Sequence, residues 1–170
     1  CSNQSSFKIT PIPADQTLEE TTVLNEGGLA PTKVALLDVS GVLLDQPQKG
    51  LFSTGEHPVS LFVEMLEKAA EDSSVKAIVV RINSPGGSVT ASELMHDEVL
   101  RIRNDPKNKK PIIAVIMDTG ASGAYYLACA CEEITAHRSS VVGSIGVIFQ
   151  SMNIKGTLDK IGVETLAIKS

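Results

Sequence analysis

Two short segments hold residues whose types and spacing suit acyl transfer. The first is Ser84-Pro85-Gly86-Gly87, with an apolar run before it and a helical pattern after it. Paired glycines let a backbone take positive φ and approach a ligand closely. The helix that follows points free N–H groups at the turn, which favours an anion. Such a place can act as an oxyanion hole; it can also be a plain strand-to-helix turn. The second segment is Gly120-Ala121-Ser122-Gly123-Ala124. Its serine stands among small residues, after a predicted strand and at the start of a predicted helix. That is the logic of a nucleophile elbow, with the G-x-S-x-G pattern shifted to Ala-Ser-Gly-Ala. The alternative is a helix-capping serine. Together the segments favour catalysis, because a nucleophile and a nest of donors then arise on adjacent strands of one sheet.

A serine nucleophile needs a base. His96 lies in a helical stretch beside Asp97 and Glu98 and reads as solvated. His57 sits in a loop rich in Gly and Pro, and His137 precedes Arg138-Ser139-Ser140. The other option is a lysine, desolvated so that its amine is neutral near pH 7. Lys155, Lys160 and Lys169 follow Ser122 in the chain.

The elements that must position these groups are legible as alternating strands and helices. Val34-Ala35-Leu36-Leu37-Asp38-Val39 reads as a buried strand. Residues 41–58 read as loop. Val59, Phe62, Met65, Leu66 and Ala69 recur at helical spacing, with Pro58 at the start and Asp72-Ser73-Ser74 at the stop. Residues 77–82 form a second buried strand, and 84–87 a tight turn. A second helix carries Ala91, Leu94, Met95, Val99 and Ile102 on one face, with Thr90 and Glu93 at capping-box spacing. A third strand spans 112–117. An apolar helical stretch runs to Cys131, a short strand covers 133–136, and 143–146 reads as a turn. Leu158 and Ile161 suggest a further helix, and 163–168 a final strand. Alternation of this kind implies βαβ units, hence an α/β fold with a mainly parallel sheet and helices packed outside.

Composition narrows the function classes. A chain of 170 residues, 42% hydrophobic and 21% charged, can bury a real core. A net charge of −5 argues against a nucleic-acid partner. The basic run Lys107-Asn108-Lys109-Lys110 follows Asn104-Asp105-Pro106 and reads as a solvated turn. No stretch reaches the roughly 18 apolar residues of a membrane-spanning helix. Cys129 and Cys131 lack metal-site or disulfide spacing and read as buried thiols. No metal or cofactor is expected. Residues 1–31, with Pro11-Ile12-Pro13 and Gly27-Gly28, read as a flexible arm or tether ahead of a core over 32–170. Cys1 followed by this polar arm resembles the start of a mature bacterial lipoprotein; a lipid on Cys1 would tether the domain to a membrane.

Three ordered blocks carry a family resemblance. They are Arg81-Ile82-Asn83-Ser84-Pro85-Gly86-Gly87-Ser88-Val89, then Gly120-Ala121-Ser122-Gly123-Ala124-Tyr125-Tyr126, then Val142-Gly143-Ser144-Ile145-Gly146-Val147. In this order they resemble the signal peptide peptidase A, or protease IV, family. The first block alone is shared with Clp proteases and resembles crotonase-fold enzymes. The resemblance implies a ClpP/crotonase-like fold, a Ser-Lys dyad, and cleavage of signal peptides or other membrane-derived peptides. It implies Ser122 as nucleophile, an oxyanion held by the N–H of Gly123 and one from Gly86 or Gly87, and Ser144 orienting the lysine amine. The family lysine follows an Ile-Lys-Ser-Gly-like stretch, which places it just past Ser170; Lys169 matches an earlier basic residue, and His137 is given no role. By this resemblance the protein is a homo-oligomer of the bacterial cell envelope, membrane-associated, with its active site on the extracytoplasmic side. A crotonase-type acyl-CoA enzyme and an inactive scaffold on the same fold are the competing readings.

Overall fold

The computed structural model of the chain describes residues 4–11, 18–25, 32–45, 58–148 and 153–162. Three consecutive βαβ units make its centre. Strand β3 (Thr32–Leu43) leads through helix α1 (Pro58–Glu71) to β4 (Val75–Gly87). Helix α2 (Val89–Asn104) leads on to β5 (Ile112–Ala121), and α3 (Gly123–Cys129) to β6 (Glu133–Ala136). β3 pairs with β4, β4 with β5 and β5 with β6, all parallel. A short strand β7 (Val141–Gly143) pairs with the far end of β5, and α4 (Lys155–Lys160) follows. The fold is α/β with a mainly parallel sheet, as the alternation of patterns predicts.

The sheet is larger than the sequence suggests. Strands β1 (Gln4–Pro11) and β2 (Leu18–Asn25) pair antiparallel, and β1 adds to β3 in parallel. The order is therefore β2-β1-β3-β4-β5-β6. Within the arm expected over residues 1–31, the described segments 4–11 and 18–25 are thus strands of the sheet. Ser5-Ser6 in β1 and Glu19-Glu20-Thr21-Thr22 in β2 give these strands little hydrophobic signal, and they gain their order from the ladder they join. Cys1 lies outside the described residues.

Burial alternates along the central strands rather than covering both faces. Ala35, Leu37 and Val39 of β3, Ile78, Val80 and Ile82 of β4, and Ile112, Ala114 and Ile116 of β5 are buried on one face. Phe62, Leu66, Met95, Val99 and Leu127 of the helices close the core against them. Each large side chain so buried is worth about 1.5–3 kcal/mol. Helix α1 packs on α2, and α2 on α3. The other face carries half-buried Leu36, Val79, Ile113 and Val115. It also carries a bidentate pair in which Arg81 donates to Asp38 at 2.7 and 2.8 Å, the two residues facing each other in the ladder.

Several boundaries differ from the expectation for physical reasons. Residues 84–87 continue β4 instead of forming a tight turn: Ser84 pairs with Gly120, and Gly87 with Leu43. The cap of α2 is Ser88, whose side chain accepts from the Ala91 amide, so the Thr90/Glu93 box is not the cap. Lys110 is buried, unlike Lys107 and Lys109. Its ammonium donates to Ala69 O at 2.8 Å and to Asp72 O, holding the carbonyls at the end of α1. Cys131 is buried as expected but Cys129 is exposed. The strand expected over 163–168 lies outside the described residues. Among the described residues no helix is long and apolar enough to cross a membrane.

Candidate active site

The end of β5 makes an abrupt turn at Ser122. Its φ of 51° and ψ of −125° lie where an L-residue is strained. The turn is pinned from two sides: the Ser122 amide donates to Gly143 O at 2.8 Å, and its carbonyl accepts from the Tyr126 amide at 3.0 Å. The side chain makes no capping bond to α3, which it precedes. A serine that only caps its helix would make that bond, so the geometry is that of an elbow.

Glycine is required around this elbow by contact rather than by flexibility alone. Gly86, at φ 94°, is so close that a Cβ would lie 2.7 Å from the Gly123 amide nitrogen and 2.8 Å from Ala121 O. A Cβ on Gly87 would lie 1.8 Å from Leu43 O. A Cβ on Gly123 would meet Ser92 Oγ at 1.9 Å, and that hydroxyl is itself held by Ser88 O at 2.9 Å. The Gly87 amide nitrogen is 3.6 Å from the same Gly123 position. The strand end of β4 and the elbow therefore meet backbone to backbone. Ser84, fully buried, fixes the approach: its Oγ donates to Gly41 O at 2.6 Å and accepts from the Gly86 amide at 3.1 Å.

A cavity of about 250 Å³ opens at this junction. Ser122, Gly123, Gly87 and Ser92 line it together with Val89, Glu93, Tyr126, Ile145, Gly146 and Val147. Ser144 stands one residue beyond the carbonyl that holds the Ser122 amide, at φ 55° and exposed. Gly86, Gly87, Ser122 and Gly123 are thus brought together, and Ser144 is on the adjoining segment. Ser92, Glu93 and Tyr126 were not singled out from sequence as site residues. A serine four residues after the helix cap is the one local signal for Ser92.

No base stands beside Ser122 among the residues sequence nominates and the structure describes. His137 is exposed and shares a 2.7 Å hydrogen bond with Ser139 Oγ. His96 is not solvated as expected: its ring stacks on Tyr126 at 4.2 Å, its side chain is 16% exposed, and Nδ1 meets Asp97 at 3.1 Å. Lys160 is exposed on α4; His57, Lys169 and the Lys155 side chain lie outside the described residues. Burial pushes the Cys131 thiol up to about 12, which keeps it protonated and unreactive.

Residues 104–170 match the family described as Peptidase family S49. A protein of Enterococcus faecium named as a signal peptide peptidase SppA is 35% identical over 156 residues, covering 92% of this chain and 42% of that one. Protease 4 of Haemophilus influenzae is 34% identical over 133 residues, covering 78% and 20%. A solved structure of a ClpP1 mutant from Listeria monocytogenes overlays 57% of this chain and 46% of that one, with a TM-score of 0.44 at 20% identity. The chain spans less than half the length of these curated relatives. The chain is thus similar to proteins of the signal peptide peptidase A, or protease IV, family.

Proposed function

We propose that this chain is the nucleophile-bearing core of a serine endopeptidase. The observation that carries the proposal is Ser122 itself: a serine forced to φ 51° at the end of a parallel strand, with no capping bond, in the lining of a cavity. Its hydroxyl attacks the scissile carbonyl of a peptide. The amides of Gly123 and Gly87 take the charge that develops on the carbonyl oxygen, the Gly86 amide being held by Ser84 Oγ. The hydroxyl proton passes to a neutral lysine amine and from there to the leaving amine. Water then attacks the acyl-enzyme by the same route in reverse. The lysine comes from outside the described residues, past Ser170, and Ser144 accepts or donates a hydrogen bond that aims it.

Signal peptides and other membrane-derived peptides are the substrates on this proposal, and the enzyme works as an oligomer at a membrane. The name of the Enterococcus relative, a signal peptide peptidase, supports the substrate class. The test is labelling of the natural full-length protein with a fluorophosphonate probe, followed by peptide mapping. A label on Ser122, lost in Ser122→Ala together with peptide hydrolysis, is the expected result. Hydrolysis that survives Ser122→Ala overturns the proposal.

A further inference from the structure

The cavity beside Ser122 is mostly apolar, yet a single carboxylate stands among its lining residues. Glu93 lies in α2, next to Ser92, which is wedged against Gly123. The Ser88 cap and the Ser92 bond to Ser88 O fix this end of the helix. Other acids of α2 are engaged: Asp97 meets His96, and Glu98 pairs with Arg101. Among the described residues Glu93 has no ion pair or hydrogen-bonded partner for its carboxylate. Opposite in character is Tyr126, whose ring is stiffened by stacking on His96 with the planes 11° apart. Val89 and Val147 extend the apolar surface.

A long side chain with an aliphatic stem and a cationic tip satisfies both halves of such a surface. Its methylenes lie on apolar wall while its head stays in contact with water and an opposite charge. An aliphatic side chain satisfies only the wall, and an acidic one meets like charge. We propose that this cavity is a subsite for a lysine or arginine side chain of the peptide substrate, with Glu93 as its specificity-determining residue. The proposal rests on the peptidase function above and names its substrate chemistry further. Glu93 is exposed, so the preference is modest: a rim ion pair changes affinity by about threefold to fivefold, and salt screens it.

The experiment uses the natural full-length protein and a set of fluorogenic peptides that carry lysine, norleucine or glutamate at each position flanking the cut in turn. At one position lysine should be preferred to norleucine. Glu93→Gln should lower the lysine-to-norleucine ratio of kcat/KM by about threefold to fivefold, and Glu93→Lys should turn the preference toward glutamate. High salt should shrink the wild-type ratio. A ratio that Glu93→Gln leaves unchanged at every position overturns the proposal, and so does an equal loss on both peptides, which would mean that Glu93 acts on the base or the fold. Anisotropy binding of the same peptides to Ser122→Ala reads the subsite without turnover. Lysine-selective, Glu93-dependent binding there would uphold the subsite even if no peptide were cut; absence of hydrolysis and of probe labelling would sink the peptidase function alone.

Discussion

The two ends of the parallel strands are built on opposite principles. At the N-terminal ends, charged groups are tied to one another and to backbone. The Lys33 ammonium reaches Glu20 and Asp72 at 3.0 Å each. The Ser74 hydroxyl and amide donate to Asp72 at 2.6 and 2.8 Å, and the Lys33 amide donates to Ser74 O. Buried Lys110 holds the last carbonyls of α1. At the C-terminal ends stand tightly packed glycines, two serines at positive φ and, in the cavity, the Glu93 carboxylate with no ion pair among the described residues. Parallel strands deliver all their C-terminal ends to one side, where open α/β sheets place ligands. The charged end ties side chains to one another and to backbone, whereas the glycine end is closed by backbone packing and leaves the Ser122 side chain without a capping bond.

Mutations at the two ends should therefore differ in what they cost: activity or packing at the glycine end, a modest loss of stability alone at the charged end. The largest effect is expected for Ser122→Ala, a loss of at least about 10⁴-fold in kcat/KM, with the thermal midpoint unchanged or nearly so. Next is Gly87→Ala, where the added Cβ collides with Leu43 O and no side chain can yield. A loss of about 3–5 kcal/mol is expected in denaturant unfolding, so that the glycine end is the more fragile of the two. Survival of Gly87→Ala at wild-type stability would break the comparison. Lys110→Met, at the charged end, leaves two carbonyls without their donor. Removal of a buried ammonium, whose pKa burial lowers, offsets part of the loss. A cost of about 1–2 kcal/mol is expected, with peptide hydrolysis by the folded protein intact.

The smallest effect is a pH dependence. The Ser74 hydroxyl, the Ser74 amide and Lys33 hold the Asp72 carboxyl at about 2, below its ordinary 3.8, against the opposing effect of burial. A depressed carboxyl stabilises the fold at pH values above its unfolded pKa, and the contribution is lost as pH falls through the folded value. Asp72→Asn should thus lose stability relative to wild type at pH 7, with the gap closing between pH 4 and 2. The carboxyl is 27% exposed, and screening keeps the gap to about 1 kcal/mol. A gap that persists undiminished at pH 2 would show that Asp72 acts through packing and not through charge.

Much of the central architecture was legible because its signals are local. Apolar runs mark β3, β4 and β5, helical spacing marks α1 and α2, and Pro58 marks the first residue of α1. The glycine blocks around Gly86 and Ser122 were legible because each residue type has a steric reason to be there. Strands β1 and β2 were not, since polar strands at the margin of a sheet are ordered by neighbours that no local window contains. Lys110 was hidden in a charged run, although its burial depends on carbonyls about 40 residues earlier in the chain. The contact of Ser92 with Gly123, and the stack that joins His96 to Tyr126, arise only when α2 lies on α3.

The φ of Ser122 sets stability and activity against each other at a single position. A non-glycine residue held in that region costs about 1–3 kcal/mol. Glycine takes the conformation freely but loses more chain entropy on folding, by about 0.5–1 kcal/mol. Ser122→Gly should therefore yield a protein about 1 kcal/mol more stable than the natural one, while Ser122→Ala, which keeps the Cβ, should not. The hydroxyl would be gone from both. Thermal melts of the two variants side by side would reveal how far the backbone at this turn favours a residue incapable of the chemistry.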